Sequence, residues 1–196
     1  MSRSSWIPDD LMHKVLMAMR PENRLAIEVS LATGLRIDDV LSLKTALVSR
    51  TRRPTVVDSK TGKPHRIYLP THLHARMLEQ AGKVWVWPGR LEPLKQHRTR
   101  QAVYKDMRQA VDVMRRAEWV SPGQNISPHT ARKCAAVKAY QSGGMAAAQA
   151  LLNHYQGHPT VTLLYALSDK MDYNPSKRRR SRSSVRSKRK DQIGHR

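Results

Sequence analysis

Apolar residues recur at helical spacing along most of the chain. Between Pro8 and Met19 the apolar positions Leu11, Val15, Leu16 and Met19 form one helical face. From Glu22 to Thr33 the pattern continues with Leu25, Ile27, Val29 and Leu31, and Gly34 supplies a C-terminal cap. Ile37 to Leu43 predicts a short helix with Asp38 and Asp39 in its first turn, where the helix dipole favours negative charge. The period then changes. Val56 to Ser59 and His65 to Leu69 read as two strands, and Thr61-Gly62 between them is a turn signal, so this stretch predicts a β-hairpin closed by Pro70. His72 to Ala81 returns to helix. Val84 to Trp87 is a short apolar stretch ended by Pro88-Gly89.

Gln101 to Ala117 predicts a long helix, with Val103, Met107, Val111 and Met114 inward and Lys105, Arg108 and Arg115 outward. Ser127-Pro128 opens the next, because Ser is a good N-cap and Pro is preorganised for the first helical position. That helix runs to about Gln141, where Gly143-Gly144 breaks it before a further helix from Met145 to Leu152. Thr160 to Leu167 is the last predicted helix. The fold class is therefore α+β, mainly helical, with one small antiparallel hairpin. Tyr104 and Tyr140 are expected in the core.

Charge changes the picture. The 196 residues include 36 Lys or Arg against 15 Asp or Glu, a net of +21. A charge of this size says little about fold and much about partners, and nucleic acid is the simplest polyanion. The surplus is uneven. Residues 176–196 hold ten Lys or Arg and one acid, interleaved with Ser. Such a segment buries too little apolar surface to offset its ordering entropy. The chain thus divides into a folded domain over 1–174 and a disordered basic tail over 175–196. No apolar run is long enough to span a membrane, and the N-terminus lacks the apolar core of a signal peptide. A single cysteine, Cys134, leaves no disulfide framework and fits a reducing interior. No metal-ligand motif is present, so no metal is expected.

Three segments carry candidate chemistry. Arg36 follows Ala32-Thr33-Gly34-Leu35 at a glycine-made helix junction, with Asp39 placed to hold its guanidinium. Lys60 lies in Ser59-Lys60-Thr61-Gly62-Lys63 on the hairpin turn. The third segment runs from Pro128-His129-Thr130-Ala131-Arg132 through Leu151-Leu152-Asn153-His154 to Tyr165. His129 and Arg132 share a helix face in its first turns, where backbone N–H groups favour an anion. Two Arg and a Lys suit a phosphate, since Arg offers planar bidentate donors and Lys a charge that can also release a proton. Tyr165 adds a nucleophilic oxygen. These are the parts for covalent attack on a phosphodiester without a metal.

In these motifs, their order and their spacing, the chain resembles the tyrosine recombinase (phage integrase) family over roughly residues 8–170. The resemblance implies that family's catalytic-domain fold. It implies that Arg36 and Arg132 bind the scissile phosphate and stabilise the pentacoordinate transition state, with Asp39 supporting Arg36. Lys60 would protonate the leaving 5′ oxygen, His129 would assist proton transfer at the tyrosine, and His154 would hydrogen-bond the phosphate. Tyr165 would attack to give a 3′-phosphotyrosyl bond and a free 5′-hydroxyl. Neither ATP, cofactor nor metal is needed, because the covalent link retains the phosphodiester energy. The implied setting is double-stranded DNA, a homotetramer on paired sites, accessory DNA-bending proteins, and a cytoplasmic, nucleoid-associated protein of bacterial, phage or mobile-element origin. Candidate DNA contacts are Lys63, Arg66, Arg98, Arg100 and Lys105, with Arg178, Arg179 and Arg180 in the tail.

Two features depart from the family pattern. His154 and Tyr165 are eleven residues apart, longer than is usual. A short loop insertion near Gln156-Gly157 accounts for this, and it leaves Tyr155 and Tyr173 as rival nucleophiles and His158 as a rival for His154. About seven residues precede the first helix, whereas most members carry an N-terminal DNA clamp, so the chain resembles catalytic-domain-only members or a fragment. Two other functions compete. One is a type IB topoisomerase relaxing supercoils as a monomer, and the other is a non-catalytic DNA-binding protein with an idle site.

Overall fold

The computed structural model describes residues 4–154 and 161–172, apart from the side chains of Val161, Thr162 and Tyr165. Ten elements follow in order: α1 (Asp9–Met17), α2 (Pro21–Thr33), α3 (Ile37–Leu41), α4 (Thr45–Val48), β1 (Thr55–Val57), β2 (Pro64–Arg66), α5 (Thr71–Gln80), α6 (Arg100–Arg116), α7 (Pro128–Leu151) and α8 (Val161–Asp172). The mainly helical reading with one antiparallel hairpin holds.

Helix α2 is the centre of the domain. It packs on α7, α3, α5 and α1, while α6 packs against α1, α3 and α7. Its buried residues Leu25, Ala26, Ile27 and Val29 surround most of the circumference. A helix apolar on so many sides has to be enclosed by others. The main core joins Leu11, Val15, Ile27, Leu35, Leu41, Leu69, Met77, Trp87 and Met107. A second, smaller cluster of Ala136, Ala148, Leu152 and Leu163 docks α8 onto α7. Leu152 and Leu163 are fully buried there against Ala136 and Ala148, and a polar tie adds to this packing. It comes from Lys133, whose ammonium pairs with Asp169 of α8 while Asp169 also accepts the Trp6 N–H at 3.2 Å.

The local signals read from sequence act as expected at helix ends. Ser127 and Thr130 form a reciprocal capping box at the start of α7, with Pro128 in the first turn. Gly143 and Gly144 have non-helical dihedrals and break α7 internally. Other expectations need correction. The strands are shorter than predicted, pairing only Thr55↔Arg66, Val56↔His65 and Val57↔Pro64. Asp58 and Ser59 belong to the turn, because the Asp58 carboxylate captures the next backbone N–H groups. Val84 to Trp87 forms only an isolated bridge, Lys44↔Trp85. The four-residue α4 was not foreseen, being too short to show periodicity. Helix α8 extends past Leu167 to Asp172. Tyr104 and Tyr140 are exposed, at 41% and 38%, and not in the core. Arg115 folds back to donate to Asp112 and to the Gln124 carbonyl. The basic tail, including Arg178, Arg179 and Arg180, lies outside the described residues.

Candidate active site

Three chain reversals build the site. The first ends α2. Gly34 adopts φ 70°, a left-handed conformation that side-chain-bearing residues disfavour. A Cβ at Gly34 would lie 2.9 Å from both the side chain and the carbonyl oxygen of Leu151. The turn therefore slides directly under the end of α7. It sends Arg36 out as the residue preceding α3, with its side chain 23% exposed.

The second reversal ends α7. Asn153 takes φ 52°, and Asn tolerates this region better than most residues. The His154 N–H returns to the Gln149 carbonyl at 2.9 Å and the Asn153 N–H to Ala150 at 3.1 Å. This double bond pattern is a Schellman motif. It fixes His154 immediately past the helix and leaves the Leu152 carbonyl free. Arg132, 2% exposed, takes that carbonyl: its Nη2 donates to Leu152 at 3.0 Å, and its Nη1 donates to the Gly34 carbonyl. Both helix ends thus hold one guanidinium. Arg132 Nη2 also lies 3.3 Å from His154 Nε2. Arg can only donate, so Nε2 accepts and the ring proton sits on Nδ1.

The third reversal is the hairpin turn, organised by Asp58. Its Oδ1 accepts the N–H groups of Lys60 and Thr61, each at 3.0 Å. Its own N–H donates to the Lys63 carbonyl at 3.0 Å, and its carbonyl accepts from Gly62 at 2.8 Å. Its Oδ2 accepts from Arg36. Asp39, expected to hold Arg36, sits at 3.9 Å from it and spends its Oδ1 on the Ser59 N–H at 3.1 Å. Asp58 is thus the nearer acid, and both carboxylates are buried.

Electrostatics shows that the reversals converge. His129 reaches solvent, yet the protein around it, then the charges of Arg132, Lys133, Arg36 and Lys60, hold its pKa below the ordinary value. His154 falls to about 4, through burial first and then Arg132 and Arg36, with Lys60 adding to them. Arg132 falls to about 10, through burial first and then Arg36, opposed by Asp58 and Asp39. Burial alone would raise the Asp58 carboxyl, but hydrogen bonds from Arg36, Thr61 and Lys60 outweigh it and the net shift is downward. Arg36, Lys60, His129, Arg132 and His154 therefore act on one small region. Among the described residues no carboxylate lies within ion-pair distance of Arg132. A buried cation without a paired acid is costly, and an anion placed there would offset that cost.

Sequence reasoning missed two members. Asp58 carried a signal, since an Asp at the start of a short turn commonly captures N–H groups two and three residues on. His65 carried none. It is buried on β2 at 7% exposure with its Nδ1 unpartnered among the described residues. Burial and then Arg132 lower its pKa, against Asp58 and Asp39.

Tyr165 lies on α8, between the buried Leu163 and Ala166. Its rivals Tyr155 and Tyr173, and His158, lie outside the described residues. Among the candidate DNA contacts, Lys63 and Arg66 are exposed on the hairpin. Arg100 pairs with Asp38 at 3.4 Å. Arg98 donates to Asn23 at 2.7 Å and, with Lys105, Arg20 and Arg90, lines a concavity of about 440 Å³. That concavity lies at the start of α6. Among the described residues no helix is long and apolar enough to cross a membrane, and no three His, Cys, Asp or Glu gather as a metal site.

The family model described as the phage integrase family matches residues 6–170. No curated protein matches the chain significantly. Solved structures share the fold. A lambda integrase dimer bound to a COC′ core site aligns at TM-score 0.69 and 22% identity, covering 89% of this chain and 51% of that one. The XerH site-specific recombinase bound to palindromic difH substrate aligns at 0.62 and 16%, covering 87% and 51%. The Tn1549 transposon integrase in complex with circular intermediate DNA aligns at 0.63 and 13%, covering 88% and 66%. The chain spans about half the length of the first two.

Proposed function

Since this chain belongs to the phage integrase family, we propose that it breaks and rejoins DNA at specific sites, with Tyr165 as the covalent nucleophile. The observation that carries the reading is the buried guanidinium of Arg132, which has no carboxylate in ion-pair contact among the described residues and is held by two helix-end carbonyls beside Arg36 and the Lys60 turn. Such a site offers fixed positive charge where a phosphorane gains negative charge, and fixed donors need no reorganisation as the reaction proceeds.

In the proposed step, the Tyr165 oxygen forms a bond to phosphorus as the bond from phosphorus to the 5′ oxygen breaks. The phenol proton passes to His129, whose lowered pKa leaves it neutral and receptive near pH 7. The Lys60 ammonium gives its proton to the leaving 5′ oxygen. His154 orients Arg132 through Nε2 before any phosphate arrives, and its phosphate contact in the transition state is part of the proposal. A 5′-hydroxyl from a partner strand reverses the sequence on new DNA. Lys63, Arg66, Arg98, Arg100, Lys105 and the tail arginines would bind the backbone, with the salt dependence typical of phosphate contacts. Four copies on paired sites complete the exchange, with accessory DNA-bending proteins as further partners.

A nicked substrate that traps the covalent complex tests this. Wild type should form a protein–DNA adduct, and Tyr165→Phe should form none. Adduct formation that persists in Tyr165→Phe refutes the assignment, and its appearance only with Tyr155 or Tyr173 intact moves the nucleophile. Exchange of strands between two duplexes separates a recombinase from a topoisomerase-like enzyme, which would relax supercoils without exchange.

A further inference from the structure

We infer that Asp58 is a positioning residue that couples Arg36 to the turn bearing Lys60, so that one carboxylate sets both the phosphate-binding guanidinium and the proton donor. The inference rests on the function proposed above and adds a residue to it. Asp58 is 2% exposed, and each of its oxygens has a separate task. Oδ2 receives the Arg36 guanidinium, while Oδ1 receives the N–H groups of Lys60 and Thr61. Arg36 immediately precedes α3 and Lys60 rides on a hairpin of only three pairs, which leaves the turn few other anchors. A second link between the two elements is Asp39, which takes the Ser59 N–H. Among the described residues Asp39 Oδ2 has no hydrogen-bond partner, and it stands 3.9 Å from Arg36. The direct hydrogen bond from Arg36 and the two from backbone N–H groups therefore concentrate the coupling on Asp58.

Two simpler roles make different predictions. If Asp58 only shapes the turn, Asn serves as well, since its side-chain oxygen can accept the same N–H groups. If Asp58 merely competes with DNA for Arg36, removing its charge strengthens binding and speeds cleavage. Positioning predicts that Asp58→Asn slows single-turnover cleavage by roughly 10- to 100-fold, the scale of a misplacement near 1 Å, while the Kd for DNA changes by less than about threefold.

A substrate with sulfur in place of the bridging 5′ oxygen separates the two arms. Its thiolate departs with the bonding electrons and needs no proton, so the contribution of Lys60 disappears. Asp58→Ala, which frees the turn as well as Arg36, should then recover toward Asp58→Asn but not to wild type. Asp58→Glu, which keeps the charge at a longer reach, should fall between Asn and wild type. Where Asp58→Ala fails to fold by circular dichroism, the Asn and Glu variants carry the test.

Amide spectra give a readout independent of turnover. Arg36→Lys should shift the Lys60 and Thr61 N–H resonances in the wild-type background and leave them unmoved in Asp58→Asn. Wild-type cleavage rates in Asp58→Asn, faster cleavage, or Lys60 resonances indifferent to Arg36 each overturn the coupling. Absence of any Tyr165-dependent adduct in wild type instead defeats the proposed reaction, and the spectra then judge the coupling alone.

Discussion

Replacing Gly34 with alanine tests whether the turn at the end of α2 is what seats Arg132. Two costs are readable from the structure. The first is the left-handed backbone at φ 70°, which charges a residue with a Cβ about 1–2 kcal/mol. The second is crowding. The new methyl would lie 2.9 Å from the Leu151 carbonyl oxygen as well as from its side chain, and backbone cannot rotate away as a side-chain tip can. Overpacking of this kind costs about 1–3 kcal/mol. The total is roughly 2–5 kcal/mol, a fall in Tm of roughly 4–20 °C for a domain of this size.

Gly62 provides the control. Its φ is 67°, but nothing lies within 4 Å of its would-be Cβ. Gly62→Ala should therefore lose only the backbone share, about 1–2 kcal/mol. Urea denaturation measures both, as a shift in midpoint at constant slope. Cleavage supplies the second reading. The Gly34 carbonyl holds Arg132, so Gly34→Ala should slow single-turnover cleavage by about 100-fold under conditions where the protein stays folded. Equal stability of the two variants, or normal cleavage by Gly34→Ala, would refute the reasoning, because it would mean that Leu151 yields without moving Arg132.

Two further outcomes are expected. Lys133→Met should leave Asp169 without its ammonium partner and loosen α8, at roughly 2–4 kcal/mol, toward the low end for a broken buried pair because Asp169 is 34% exposed and keeps the Trp6 N–H. Hydrogen exchange of α8 amides should rise more than that of α2, and uniform protection across both helices would contradict the anchoring role. Acid should destabilise the protein early. His65, His129 and His154 all have folded pKa values below their ordinary 6.5, His154 near 4. The unfolded chain therefore binds more protons between about pH 6.5 and 4, so stability is complete above that window and declines as pH falls through it. Asp58, lowered from 3.8, adds a loss only at still lower pH. Urea midpoints from pH 7.5 to 4.5 should show the decline, and His154→Gln should flatten it. An identical pH profile in that variant would remove His154 from the account.

Local rules and long-range geometry divided the work here in a legible way. Helix starts and stops were written in neighbours: Ser127-Pro128 before α7, Gly34 after α2, Gly143-Gly144 at the break. Such signals act through a residue's own backbone and the next turn, so they survive without tertiary context. The order of Arg36, Lys60, Arg132, His154 and Tyr165 likewise marked the family before any contact was known. Side-chain partners were another matter. Asp39, three residues from Arg36, was the natural partner on paper, but the hairpin brings Asp58 closer from 22 positions away. Tyr104 and Tyr140 were assigned to the core, but packing leaves both exposed.

The sequence by itself determined which segments become helices, the four-residue α4 apart, and which side chains could meet a phosphate, because both follow from short-range periodicity and residue chemistry. Only the tertiary structure decided that the ends of α2 and α7 share one guanidinium, and that Asp58 joins Arg36 to the Lys60 turn. Hydrogen bonds between distant segments leave no periodic trace along a chain, since their geometry exists only after the core has packed.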